Sequence, residues 1–326
     1  MRPRLIATDL DGTLLDREQS LTPRTVAAVR AVVAAGIGFV LVTARPPRTV
    51  AHLAEQLGGG ISALCGNGTM LAEFGAASAQ ANLGMDLDPS LDPSLGTGMD
   101  LGPVPAPTPA AIPASAPAPT RTPTPAPAPA PAPAPGETTL IRSFAVADAV
   151  AIVEQLRPAL PEAGFALETG YEVYFEAAFR IGSVTDHRRI LTDELVGLAP
   201  QLPSIIKVLA RSAERGADEM VAVARAALSV DAEISHSGGR GLLEIAPFGA
   251  SKASALAWLC ERRGIAASEV AAFGDMPNDL PMLRWAGLGH AVSNAHPEVL
   301  AAAHRVVGHH AEDGVALALE AMLASA

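Results

Sequence analysis

Short apolar runs alternate with amphipathic stretches at both ends of this chain, and the middle has a different rhythm. Residues 4–9, 38–43 and 61–65 read as buried strands, and 23–35 and 47–57 as helices between them. Thr22-Pro23 fits a helix start and Gly36 a helix stop. The pattern returns near the end: helix 250–263, strand 269–274, helix 278–286, strand 288–292, helix 296–302, strand 304–307 and helix 313–324. Strands that alternate with helices imply an α/β fold built on a doubly wound parallel sheet. Both chain ends therefore build one core, residues 1–72 plus 247–326, and residues 73–246 form an inserted α+β cap. In the cap, 165–168 and 171–175 read as a hairpin around Thr169-Gly170, 204–210 as a strand and 217–228 as a helix. A last hairpin joins 233–235 to 242–245.

Composition breaks sharply at residues 86–136, where strict Pro-Ala alternation runs from Pro125 to Pro135. Proline lacks an amide donor and alanine offers little to bury, so the segment is expected to be disordered or polyproline II. It lies between two strand-like stretches, 69–73 and 138–142, where a short turn would serve. Loop-closure entropy grows only logarithmically, so such an insertion is compatible with an intact core. A Pro-rich segment also suits docking on a protein partner, although the Pro-Ala alternation offers few anchor side chains.

The net charge is −11 with no basic block, which disfavours nucleic acid as the main partner. No stretch reaches the roughly 20 apolar residues of a membrane span. Asp9 and Asp11 interrupt the apolar start, so it does not read as a signal peptide, and a cytoplasmic location is expected. Cys65 and Cys260 are too few for a disulfide framework and read as reduced.

The candidate chemistry sits at strand ends. Asp9-Leu10-Asp11-Gly12-Thr13 follows the first apolar run, where open α/β sheets place ligands. A calcium loop is excluded because its sixth position, which needs glycine, is Leu14. Thr43 ends the second strand, as a turn residue or as a hydroxyl donor to a phosphate. Lys252 opens a helix, where the dipole disfavours it, so it is either a solvated surface lysine or the partner of an anion. Gly274-Asp275 ends a third strand, and Asn278-Asp279 follows, with Asp279 equally suited to capping the next helix. Asp9, Asp275 and a backbone carbonyl would give a hard cation such as magnesium a partial oxygen shell.

These four segments, in this order, resemble the haloacid dehalogenase superfamily, and the chain length and late Lys252 resemble its Cof-like hydrolases with a class IIB cap. The resemblance implies a Rossmann-like core and a Mg2+-dependent phosphatase for small phosphorylated metabolites such as sugar or cofactor phosphates. It makes Asp9 the nucleophile that forms an aspartyl-phosphate, and Asp11 the general acid and base. Thr43 and Lys252 would bind phosphate, Asp9, Asp275 and the Asp11 carbonyl would hold the metal, and Asn278 and Asp279 would support them. Phosphomannomutases also begin Asp-x-Asp-Gly-Thr, so a phosphotransferase is the alternative. In the cap, Arg180, His187, Arg188, Arg189 and His236 are possible substrate contacts, each more simply read as a surface residue. His309-His310 reads as surface loop rather than a metal site.

Overall fold

A computed structural model describes residues 2–58, 60–75, 137–179, 188–236 and 241–324. The expectation for residues 86–136 lies outside these, as do Arg180 and His187. Among the described residues the chain builds two sheets. The strands of the first are β1 (Leu5–Thr8), β2 (Gly38–Val42), β3 (Ile61–Cys65), β4 (Met70–Phe74), β5 (Glu137–Leu140), and, after the cap, β12 (Val270–Gly274), β13 (Leu288–Val292) and β14 (Arg305–Val307). Their order is β14-β13-β12-β1-β2-β3-β4-β5, parallel from β14 to β3, with β4 and β5 added antiparallel. All residues of β1, β2, β3 and β12 are buried, as expected of parallel strands covered by helices on both faces.

β1 is the pivot. It pairs with β2 on one side and with β12 on the other, so the chain leaves it in both directions across the sheet. That is the topological switch at which side chains just beyond the strand ends meet a ligand. β5 corrects the boundary read from sequence at 72/73. It registers Leu140 against Met70 and belongs to the core sheet.

The second sheet holds β6 (Gly164–Glu168), β7 (Val173–Phe175), β8 (Arg189–Leu191), β9 (Lys207–Arg211), β10 (Ala232–Ser235) and β11 (Leu242–Pro247), in the order β10-β11-β9-β6-β7-β8. Only β7 and β8 run parallel. Side chains alternate across its strands with period two. Phe165, Leu167, Val208, Ala210, Leu243 and Ile245 pack with the helices Val146–Ala159 and Ala217–Ala227. Glu168, Lys207, Leu209, Leu242 and Glu244 therefore lie on the opposite face, where the charged three reach the core and the two leucines pack with Ala166, Val173 and Phe179.

Some elements differ from the sequence reading. The expected helices 47–57 and 278–286 each begin as a single 3-10 turn, Pro47–Thr49 and Pro277–Asp279, and continue as Ala51–Leu57 and Leu280–Trp285. Proline stands in the first turn of each segment, where its missing N–H costs nothing. The helix Val146–Ala159 and strand β8 were not foreseen. The helix carries no side-chain cap at Ala145, yet its buried Ala149, Ile152, Val153 and Leu156 keep helical spacing. Among the described residues no helix is long and apolar enough to cross a membrane.

Candidate active site

Three strands deliver their end residues to one place. Asp9 follows β1, Thr43 follows β2 and Asp275 follows β12, and all three are buried. The backbone N–H of Asp9 donates to the Phe273 carbonyl at 3.0 Å, which fixes the turn out of the strand. Gly12 has φ +75°, and a Cβ there would lie 2.4 Å from Asp275 Oδ2. Only glycine lets the first loop come so close to the second carboxylate. The Thr13 hydroxyl donates to Asp275 Oδ1 at 3.0 Å and locks the two loops together.

Lys252 is the centre of the charge network. It is the first residue of helix Lys252–Arg262, whose N-cap Ser251 forms a reciprocal capping box with Ser254. Its ammonium donates to Asp9 Oδ1 and to Asp279 Oδ1, each at 2.7 Å. The dipole conflict noted in the sequence is thus resolved by two buried anions. Asp279 Oδ2 accepts the backbone N–H groups of Asp275 (3.1 Å) and Met276 (3.0 Å). Both oxygens of Asp279 are therefore engaged in shaping the loop.

Carboxylate oxygens of Asp9, Asp275 and Asp279 lie within 4.8 Å of one another. Three acids around one ammonium leave surplus negative charge. Burial raises the Asp9 carboxyl well above its ordinary value; Lys252 opposes the rise, and the neighbouring acids add to it. Burial, then Asp279, push Asp275 up to about 7. Burial alone would lower Lys252, but Asp279 and Asp9 outweigh it and raise the ammonium's pKa, keeping it charged. A buried all-oxygen donor set with excess negative charge fits a hard divalent cation. With Asp279 engaged elsewhere, Asp9 and Asp275 are the carboxylates with room for one.

Asp11 points away from this cluster. Its carboxylate takes both arms of the Arg45 guanidinium, at 2.8 Å from Nε and 2.5 Å from Nη2. Thr43 Oγ1 accepts the Arg45 backbone N–H at 3.1 Å, leaving the hydroxyl hydrogen for an acceptor in the site. Asn278 donates from Nδ2 to Asn67 Oδ1 at 3.3 Å, while its own buried Oδ1 has no partner among the described residues.

Sequence reasoning missed the residues that join the cap to this floor. Gly66, Asn67 and Gly68 turn between β3 and β4 with three successive positive φ angles. Asn67 Nδ2 donates to Glu244 Oε2 at 3.0 Å. Lys207 Nζ donates to the same oxygen at 2.6 Å and to the Ala44 carbonyl at 2.7 Å. Arg48 forks onto Glu168 at 2.6 and 2.8 Å. A Gly-Asn-Gly turn was the one local signal. The charged cap residues acquire their place only through strand register.

Of the cap candidates read from sequence, Arg188, Arg189 and His236 are among the described residues. His236 contacts Asp218 Oδ1 at 2.9 Å within the cap. Arg189 opens β8, and the Arg188 carbonyl accepts the Val173 N–H at 3.0 Å. His309 and His310 stack at 4.8 Å between ring centres. Cys65 and Cys260 are buried and unpaired.

Sheet order, inserted cap and the acid–lysine cluster define the class, and the comparisons agree. The profile of haloacid dehalogenase-like hydrolases matches residues 6–83 and 139–319. The chain belongs to that family. Among curated proteins it is 42% identical over 65 residues to a phosphoglycolate phosphatase of Methanothrix thermoacetophila, 20% of this chain and 29% of that one. It is 36% identical over 76 residues to the pyridoxal phosphate phosphatase YbhA of Escherichia coli, 23% of this chain and 28% of that one. These matches span under a third of either relative's length. Solved structures align along nearly the whole chain. SMU.1108c of Streptococcus mutans superposes with a TM-score of 0.70 at 19% identity, covering 99% of both chains. The phosphatase BT1666 of Bacteroides thetaiotaomicron gives 0.67 at 17% identity, covering 98% of this chain and 95% of that one.

Proposed function

We propose that this protein is a Mg2+-dependent phosphomonoesterase for small phosphorylated metabolites. The observation that carries the reading is the Lys252 bridge between Asp9 and Asp279, beside Asp275, at the mouth of a parallel sheet. The cation, held by Asp9, Asp275 and the Asp11 carbonyl, would supply positive charge against the phosphoryl oxygens.

The chain's own groups perform the rest. An Asp9 carboxylate oxygen attacks phosphorus, and the bond to the leaving oxygen breaks. Asp11, released from Arg45 and protonated, gives its proton to that oxygen, so the product leaves as an alcohol. Asp9 then carries the phosphoryl group as an aspartyl-phosphate. Asp11, now a carboxylate, takes a proton from water as the water oxygen attacks phosphorus. The bond to Asp9 breaks, which releases inorganic phosphate and restores the Asp9 carboxylate. Thr43 and Lys252 donate hydrogen bonds to the phosphoryl oxygens, and Asn278 and Asp279 hold Lys252 and the loop in place. The cap face bearing Lys207 and Glu244 limits access of bulk water.

The names of the sequence relatives, phosphoglycolate phosphatase and pyridoxal phosphate phosphatase, favour a small phosphomonoester as substrate. The test is phosphate release from a panel of sugar, glycolate and cofactor phosphates, with and without Mg2+, beside Asp9→Asn. Mg2+-dependent turnover is expected, with a loss on the order of a thousandfold or more in the variant. Turnover that persists in Asp9→Asn at wild-type rate overturns the assignment of the nucleophile.

A further inference from the structure

The loop that carries Asp9 and Asp11 is held from behind by residues far along the chain. The turn after β13 places Asn294 against it, and the Asn294 Nδ2 donates to the Gly12 carbonyl at 2.8 Å. The same side chain accepts the backbone N–H of His310 at 3.0 Å through Oδ1. The His310 ring then donates from Nδ1 to the Leu15 carbonyl at 2.7 Å. Leu15 closes the loop by donating its N–H to the Leu10 carbonyl at 2.9 Å. Two residues later in the same turn, the His296 N–H donates to the Asp275 carbonyl at 2.8 Å. One short turn therefore grips the backbone of both carboxylate loops.

We infer that Asn294 and His310 are positioning residues that orient the Asp11–Thr13 backbone toward Asp275 and the bound cation. The inference rests on the proposed reading of Asp9, Asp11 and Asp275. The reason lies in peptide geometry. Gly12, at φ +75° and ψ 1°, joins the Asp11 carbonyl to the Thr13 hydroxyl that holds Asp275. Glycine is the residue least able to hold such a conformation by itself, because both signs of φ are open to it. A hydrogen bond to its carbonyl fixes the peptide plane, so the Asp11 carbonyl and the Thr13 hydroxyl keep one orientation. The clamp bonds to the backbone carbonyls of Gly12 and Leu15. Its effect passes through the backbone, as the outer partners of metal ligands do.

The variants Asn294→Asp and His310→Ala, made in the full chain, separate the two halves of the clamp. Asn294→Asp keeps the acceptor for His310 and removes the donor to Gly12. His310→Ala keeps its backbone N–H on Asn294 and releases Leu15 together with the stack on His309. Three quantities are read: Mg2+ affinity by titration calorimetry, amide hydrogen exchange over residues 10–15, and kcat and KM for the best phosphate ester. In Asn294→Asp, Mg2+ affinity and kcat are expected to fall about tenfold or more. KM should stay within threefold and exchange in the loop should rise, with His310→Ala intermediate. Mg2+ affinity, exchange and kcat all within twofold of wild type in Asn294→Asp overturn the inference. Should that variant not fold, His310→Ala decides on the same criteria. A wild-type protein that hydrolyses no phosphate ester would defeat the proposed function instead, and calorimetry and exchange would still judge the clamp. If wild type also binds no Mg2+, unchanged exchange alone overturns it.

Discussion

The floor of the site and the cap face above it both bury charge, but they balance it differently. On the floor, Asp9, Asp275 and Asp279 surround the single ammonium of Lys252. On the cap side, Lys207 meets Glu244 and Arg48 meets Glu168, each a base against an acid. The floor is under-compensated, and that surplus suits the cation proposed above. The cap contacts set acid against base, and Arg48–Glu168, Lys207–Ala44 and Asn67–Glu244 run between the loops of the first sheet and the strands of the second. The difference separates a surface built to receive charge from one built to dock.

Removing the floor's one ammonium should do the most damage. Lys252→Met leaves two buried carboxylates without their partner, and unfolding free energy should drop by about 3–5 kcal/mol. Denaturant titration in the presence of Mg2+ measures it. A drop below about 1 kcal/mol would mean that the floor tolerates its own repulsion, and the contrast with the cap would disappear.

The cap pair should show the opposite arithmetic. Glu244→Leu strands Lys207, so it should destabilise more than the double change Lys207→Met with Glu244→Leu. A double-mutant cycle should return a coupling of roughly 1–3 kcal/mol. Additive costs would show that the two charges do not depend on each other.

Proton linkage gives a finer test of the surplus charge. The Asp275 carboxyl rises from 3.8 to about 7 on folding without a cation. The folded state thus holds this proton more tightly than the unfolded state. The group's stabilising contribution is full below about pH 4 and is lost as the pH rises through about 7. The melting temperature of the metal-free protein should therefore carry a term that falls across this window. Asp275→Asn should flatten that term, and Mg2+ should reverse it at the alkaline end. A metal-free melting curve with the same slope in the variant would remove Asp275 as its source.

The smallest effect belongs to a pair that neither receives nor docks. Arg24 and Glu320 meet at 2.6 Å on the surface, with side chains 46% and 43% exposed. Arg24→Ala should leave the midpoint of the same denaturant assay and the turnover unchanged within error.

The same contrast explains what could be read from the sequence. The doubly wound core was legible because its strands are apolar runs of strand length between helical periods. Asp9 and Asp275 stood out because acids at the ends of buried strands have few structural reasons to be there, whereas Asp279 read equally well as a helix cap. Lys252 was marked by its misfit to a helix start. Lys207, Glu244 and Glu168 carried no such mark. Each is an ordinary charged residue in a strand, and its direction depends on which face meets the core. That is set by sheet register and by the helices on the other side. Asn294 and His310 were illegible for a related reason. They act through backbone carbonyls 282 and 295 residues away.

The central place of β1 also dictates a timetable. Asp9 and Lys252 are 243 residues apart. At about 5–20 residues per second of synthesis, roughly 12–50 s pass between the emergence of one and of the other. During that interval β1 has β2 as a neighbour but lacks β12, so the nascent half-sheet presents Leu5, Ile6 and Ala7 along an open edge. An apolar strand with unpaired backbone groups is a template for other chains. The half-sheet is therefore open to pairing with other chains while it waits, and chaperone demand should fall once the last quarter of the chain is made.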